Sequence, residues 1–109
     1  MSLTADERTW LQRYKAALDE QFPGLIEELL LYGSKARGDD HPESDLDILI
    51  ITGDTDFKTQ HSMRWVGYML AAMSSALPSI MVYTRADWER SAAIGSPFVR
   101  EVEQDAVPL

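Results

Sequence analysis

The chain predicts a small α/β domain: one sheet with helices packed on it. Three observations predict it. Amphipathic segments at helical spacing alternate with short apolar runs of strand length. Its 109 residues suit one domain with one modest core. Hydrophobic residues make up 45% and charged residues 26%, an ordinary globular balance.

The elements follow in order. Thr4 and Glu7 have capping-box spacing, and Trp10, Leu11, Tyr14 and Leu18 then share one helical face. Pro23-Gly24 ends that helix. Leu25 to Tyr32 reads as a strand, and Gly33 to Gly38 as a tight turn opening a short helix. Residues 39–44 form a polar loop. Asp45 to Thr52 is a second strand whose Ile48-Leu49-Ile50-Ile51 run predicts a buried central position. Phe57 to Leu77 carries Trp65, Val66, Met69, Leu70, Met73 and Leu77 at helical spacing, and Pro78 breaks it. Ser79 to Tyr83 is a third strand. Thr84 and Asp87 suggest another capping box, opening a helix to about Ala93, and Phe98 to Gln104 adds a last helical turn or two. The predicted order is α-β-α-β-α-β-α around a mixed or parallel sheet, a single domain spanning 1–109.

Composition bounds the function. Cysteine is absent, which excludes disulfides and thiolate metal sites. No run of eighteen apolar residues exists, so no membrane span is expected, and the charged first twenty residues do not read as a signal peptide. A cytoplasmic location is the expectation. The net charge of −8 and the lack of a basic cluster argue against tight binding of DNA or RNA. Seven acids and no Lys or Arg fall between Asp39 and Asp56. That stretch repels bare phosphate but attracts a divalent cation, which phosphate can then follow.

Asp45 and Asp47 are two apart on a predicted strand, so their side chains share a face with Cα atoms about 7 Å apart. Oxygen ligands without His or Cys favour hard cations, Mg²⁺ or Mn²⁺. Leu46 and Ile48 point the other way, into the core. Gly33, between a strand and Ser34, permits a sharp bend and close ligand approach. A helix beginning at Ser34 offers free N–H groups to an anion, the Ser34 hydroxyl adds a donor, and Arg37 can reach the same anion. The remaining polar residues have plain readings: Lys35 is a solvated helix charge, Asp39, Asp40 and Glu43 solvate a loop, and His41 is an exposed loop histidine. His61 has no cluster around it. Met63, Met69, Met73 and Met81 read as core filler. Trp65 and Met69 are expected to bury against the sheet. The other reading has part of that face, or Phe98-Val99, dock a second copy or a helical partner.

The pattern Gly33-Ser34-x-Ala36-Arg37-Gly38, with ten residues between Ser34 and Asp45, and then Asp45-x-Asp47 resembles the signature of the polymerase-β-like nucleotidyltransferases. The length resembles their minimal nucleotidyltransferase (MNT) domains, found beside helical HEPN proteins as the antitoxin half of a toxin–antitoxin pair. The resemblance implies that Gly33 and Ser34 hold the triphosphate with help from Arg37. It implies that Asp45 and Asp47 are the catalytic carboxylates and hold Mg²⁺. AMP would pass from ATP to a hydroxyl, on a HEPN-type protein partner. The family's third carboxylate usually opens the next core strand. Here that position is Ser79, and serine alone is a poor general base near neutral pH. Catalysis is thereby placed in question more than binding, and a binding module that neutralises its partner by docking is the alternative. Transfer to a small molecule such as an antibiotic is disfavoured, because no second lobe is evident; only a homodimer would build that pocket.

Overall fold

A computed structural model of the chain describes residues 1–39 and 44–109. Its elements are α1 (Ala5–Gln21), β1 (Ile26–Tyr32), α2 (Gly33–Arg37), β2 (Leu46–Thr52), α3 (Phe57–Ala71), β3 (Pro78–Thr84), α4 (Arg85–Ala93), α5 (Pro97–Asp105) and β4 (Val107–Pro108). The sheet order is β3-β2-β1-β4. β1 runs antiparallel to both β2 and β4, while β2 and β3 are parallel, so the sheet is mixed.

Side chains alternate across the strands and divide the core in two. Leu29, Leu31, Leu46, Ile48, Ile50 and Ile80 meet Trp10, Tyr14, Leu18 and Met63 of α1 and α3. Leu30, Tyr32, Leu49 and Ile51 meet Trp88, Val99 and Val102 of α4 and α5. The capping box at α1 forms as its spacing predicts, with Glu7 N–H donating to Thr4 Oγ1 and Thr4 N–H donating to Glu7 Oε1. Trp10 Nε1 donates to the Gly67 carbonyl and the Tyr14 hydroxyl to the Met63 carbonyl, which ties α1 to α3. Burial pushes the Tyr14 phenol well above its usual range.

Several expectations need correction. α3 ends at Ala71 and not at Leu77. Beyond it, Met73 N–H bonds Leu70 O and Ser74 N–H bonds Ala71 O, while Ser75 Oγ donates to Asp6 and Ser74 Oγ accepts from Ala76 N–H. Serine side chains that compete for hydrogen bonds unwind the helix before Pro78 is reached. At α4, Thr84 Oγ1 caps Asp87 N–H as predicted, and the Asp87 carboxylate pairs with Arg90. Lys35 is not a solvated charge. Its Nζ sits 3.0 Å from Glu7 Oε2, and the two side chains are only 3% and 7% exposed. Of the methionines read as core filler, Met63 is fully buried but Met69, Met73 and Met81 are exposed. Trp65 is exposed as well. Val99 is buried in the second core cluster and Phe98 packs half-buried against it, so this segment serves the domain's own core. β4 was not foreseen. The expectations for Asp40, His41 and Glu43 fall outside the described residues.

Candidate nucleotide and metal site

The Asp45 and Asp47 carboxylates arise where β2 begins. Asp45 is exposed just before the strand, and Asp47 is half-buried within it. In register, Asp47 lies between Tyr32 of β1 and Ser79 of β3. Tyr32, Asp47 and Ser79 therefore form a row across three strands. Its parity is that of Leu49 and Ile51, on the side covered by α4 and α5.

Gly33 opens α2 directly beside this row. Its φ is +75°, in the left-handed region, and a Cβ built there would lie 2.3 Å from Asp47 Oδ2. Both facts demand glycine. The turn and the carboxylate are thus in contact, as two parts of one site would be. α2 is five residues long and closes on Gly38, also in the left-handed conformation. One turn carries little macrodipole, so any anion binding here rests on the backbone of its first turn and on Ser34, which is half-buried. Arg37 bonds Asp39 at 3.1 Å and Asp105 of α5 at 2.9 Å on the exposed side of α2. A phosphate would share this guanidinium with Asp105.

Partial burial first, and then the charges of Asp45 and Glu101, raise the pKa of Asp47, with Arg37 opposing. Burial and then Asp47 and Glu101 push the Tyr32 phenol up to about 12. Glu101 is the residue that sequence reasoning overlooked. It stands on α5 between Phe98, whose ring meets Tyr32 edge-on at 5.4 Å, and Asp105, which bonds Arg37. Spacings of three and four put 98, 101 and 105 on one helical stripe. The stripe was legible, but that α5 lies against α2 was not.

The donor set suits a hard divalent cation. Two carboxylates, one of them partly desolvated among negative neighbours, gain from a cation. No cluster of three or more His, Cys, Asp or Glu positioned to hold a metal exists among the described residues. A cation here would take its other oxygens from water and phosphate, the usual habit of Mg²⁺.

One test needs no ligand. Because Asp47 holds its proton more tightly folded than unfolded, the domain loses stability as pH rises through the interval between the ordinary and the raised pKa. Above that interval, Asp47→Asn should raise the melting temperature of metal-free protein. Below it the two proteins should converge. Calorimetric scans from pH 3 to pH 8 would show this, and a uniformly lower melting temperature for the variant would refute it.

The fold and this site define a nucleotidyltransferase-type α/β domain. A solved structure of a candidate minimal nucleotidyltransferase superposes with a TM-score of 0.60 at 20% identity, covering 94% of each chain. A mutant of the toxin–antitoxin pair MntA–HpeT gives a TM-score of 0.60 at 19% identity, over 91% of this chain and 70% of that one. A toxin–antitoxin structure with AMP-PNP gives 0.61 at 17% identity, over 96% and 72%. The chain belongs to the nucleotidyltransferase domain family, whose model matches residues 11–105. It is also similar to the candidate protein adenylyltransferase MJ0604 of Methanocaldococcus jannaschii, 44% identical over 52 residues. That match spans 48% of this chain and about half, 51%, of the relative.

Proposed function

We propose that the chain is a single minimal nucleotidyltransferase domain that binds ATP with Mg²⁺ and passes AMP to a hydroxyl of a partner protein, a HEPN-type toxin, as its antitoxin. The observation that carries the reading is the close approach of Gly33 to the Asp47 carboxylate, which sets the turn proposed to hold phosphate against an acid proposed to hold the cation. Gly33 and Ser34 would hold the triphosphate, with Arg37 alongside. Asp45 and Asp47 would hold the cation, which when bound neutralises phosphate charge and stabilises the oxygens of an in-line displacement. Asp47 would act from a fixed place in the sheet, in register between Tyr32 and Ser79. The relatives named for adenylyl transfer and for toxin–antitoxin assembly support this substrate class.

Ser79 supports a second reading. It sits beside Asp47, half-buried, at the position where the family's third carboxylate is expected. A serine there favours a domain that binds nucleotide but turns over slowly, and that neutralises its partner by docking. Labelled ATP, Mg²⁺ and the co-purified partner would separate the two readings: label on protein supports transfer, and a stable unlabelled complex supports docking.

Nucleotide binding is testable alone. Asp45→Asn/Asp47→Asn should abolish the Mg²⁺-dependent part of ATP affinity in calorimetry, because both hard oxygen anions are removed. Equal affinity in the variant and the wild type would remove the pair from the site.

A further inference from the structure

Helix α3 presents an outward face that the fold leaves uncovered. Phe57, His61, Trp65 and Met69 are four apart and all exposed, forming one ridge along the helix. Phe57 is 88%, Trp65 57% and Met69 52% exposed, and Met73 continues the row past the helix end at 86%. Tyr68 stands beside the ridge, its hydroxyl accepting from Ile80 N–H of the edge strand. Next to Trp65 lies a recess of about 440 Å³, bounded by Gln21, His61, Ser62 and Val66. The buried side of the same helix, Gln60, Met63 and Gly67, faces inward. A helix with large apolar side chains on both faces is a helix with a second surface to bury.

Charge says what kind of surface covers it. None of the chain's eighteen acids falls between Phe57 and Thr84, while Lys58, His61 and Arg64 all do. Lys58 and His61 are exposed and Arg64 is half-buried, and all three interleave with the apolar ridge. Asp56, which caps the helix, marks where acids resume. The outer face of α3 is thus apolar and cationic along its length, with Asp87 near Phe57 at one end and Asp6 near Met73 at the other. A two-fold pairing of this face with a second copy would bring two sets of Lys58 and Arg64 into one interface, because the same patch lies on both sides. An acidic partner meets no such repulsion.

We infer that the outer face of α3 docks an amphipathic helix of another protein, one whose apolar stripe is flanked by Asp or Glu. The ridge packs against the apolar stripe, an anchor side chain enters the recess beside Trp65, and Lys58 and Arg64 meet the acidic flanks. α3 lies on the opposite sheet face from the side of Asp47, so the docked helix and a nucleotide do not compete for space. This deepens the partner half of the proposed function by giving it a surface.

The test uses two synthetic helical peptides with the same leucine stripe, one flanked by Glu and one by Lys. Of the three tryptophans, Trp10 and Trp88 are buried, so Trp65 reports binding through a blue shift of emission. The Glu peptide should bind the full chain at least about tenfold more tightly than the Lys peptide. Lys58→Glu/Arg64→Glu should reverse that order while leaving ATP affinity unchanged, which separates this inference from the nucleotide reading. No shift with the Glu peptide, or equal binding of both peptides, would overturn it. So would a dimer in light scattering that Met69→Glu breaks, because the face would then belong to a second copy.

Discussion

Lys35→Met is expected to destabilise the domain by about 3–5 kcal/mol, the scale seen when one member of a buried ion pair is removed. Against a total of about 5–15 kcal/mol for a small domain, that is severe. The cause is the residue left behind. Glu7 is 6% exposed, and its Oε2 would lose the ammonium that compensates it. Its Oε1 would still close the capping box of α1. The pair fastens α2 to α1, so the loss should also loosen the turn that carries Gly33 and Ser34. Urea denaturation measures the effect. Glu7→Gln added to Lys35→Met should recover most of the stability, because glutamine keeps the capping box and removes the stranded charge. A single variant as stable as the wild type would show that water reaches Glu7 in solution.

Gly33→Ala should be nearly as damaging and should also remove nucleotide binding. A left-handed residue with a side chain costs about 1–3 kcal/mol in backbone strain. The new Cβ would also meet Asp47 Oδ2 at 2.3 Å. Either the turn opens or the carboxylate rotates away, and each outcome separates the phosphate turn from the acid pair. Gly24→Ala is the control. Its φ is +74°, yet nothing lies within 4 Å of a Cβ there, so it carries the backbone strain without the clash. Melting curves and ATP calorimetry on the two variants would divide strain from steric damage. Equal loss in both would mean that the Asp47 contact matters little.

Local signals in the sequence were sufficient for most of the scaffold. The Thr4 and Glu7 cap, the four-residue apolar face of α1, the buried run of β2 and the parity that turns Leu46 and Ile48 inward all depend on neighbours a few residues away. So does the Gly33-Ser34 turn followed by Asp45 and Asp47, which is why family membership was legible.

What the sequence left open depends on contacts between distant segments. Val107-Pro108 has no periodicity of its own and becomes a strand only because β1 offers it a free edge. Lys35 looked solvated because its cation sits on a short polar helix, and only the packing of that helix on α1 buries it beside Glu7. Glu101 drew no notice because 53 residues lie between it and Asp47. α5 closes that gap by laying Phe98 on Tyr32 and Asp105 on Arg37. Trp65 and Met69 are the same lesson in reverse. Their hydrophobicity predicts burial, but a helix buries only the side that faces its sheet, and here Gln60, Met63 and Gly67 hold that side. Sequence thus determined most of the elements and the motif, whose causes are local in the chain. Tertiary structure decided which charges are buried, which carboxylate joins the site and which apolar face stays open, because burial and electrostatic fields depend on distance in space.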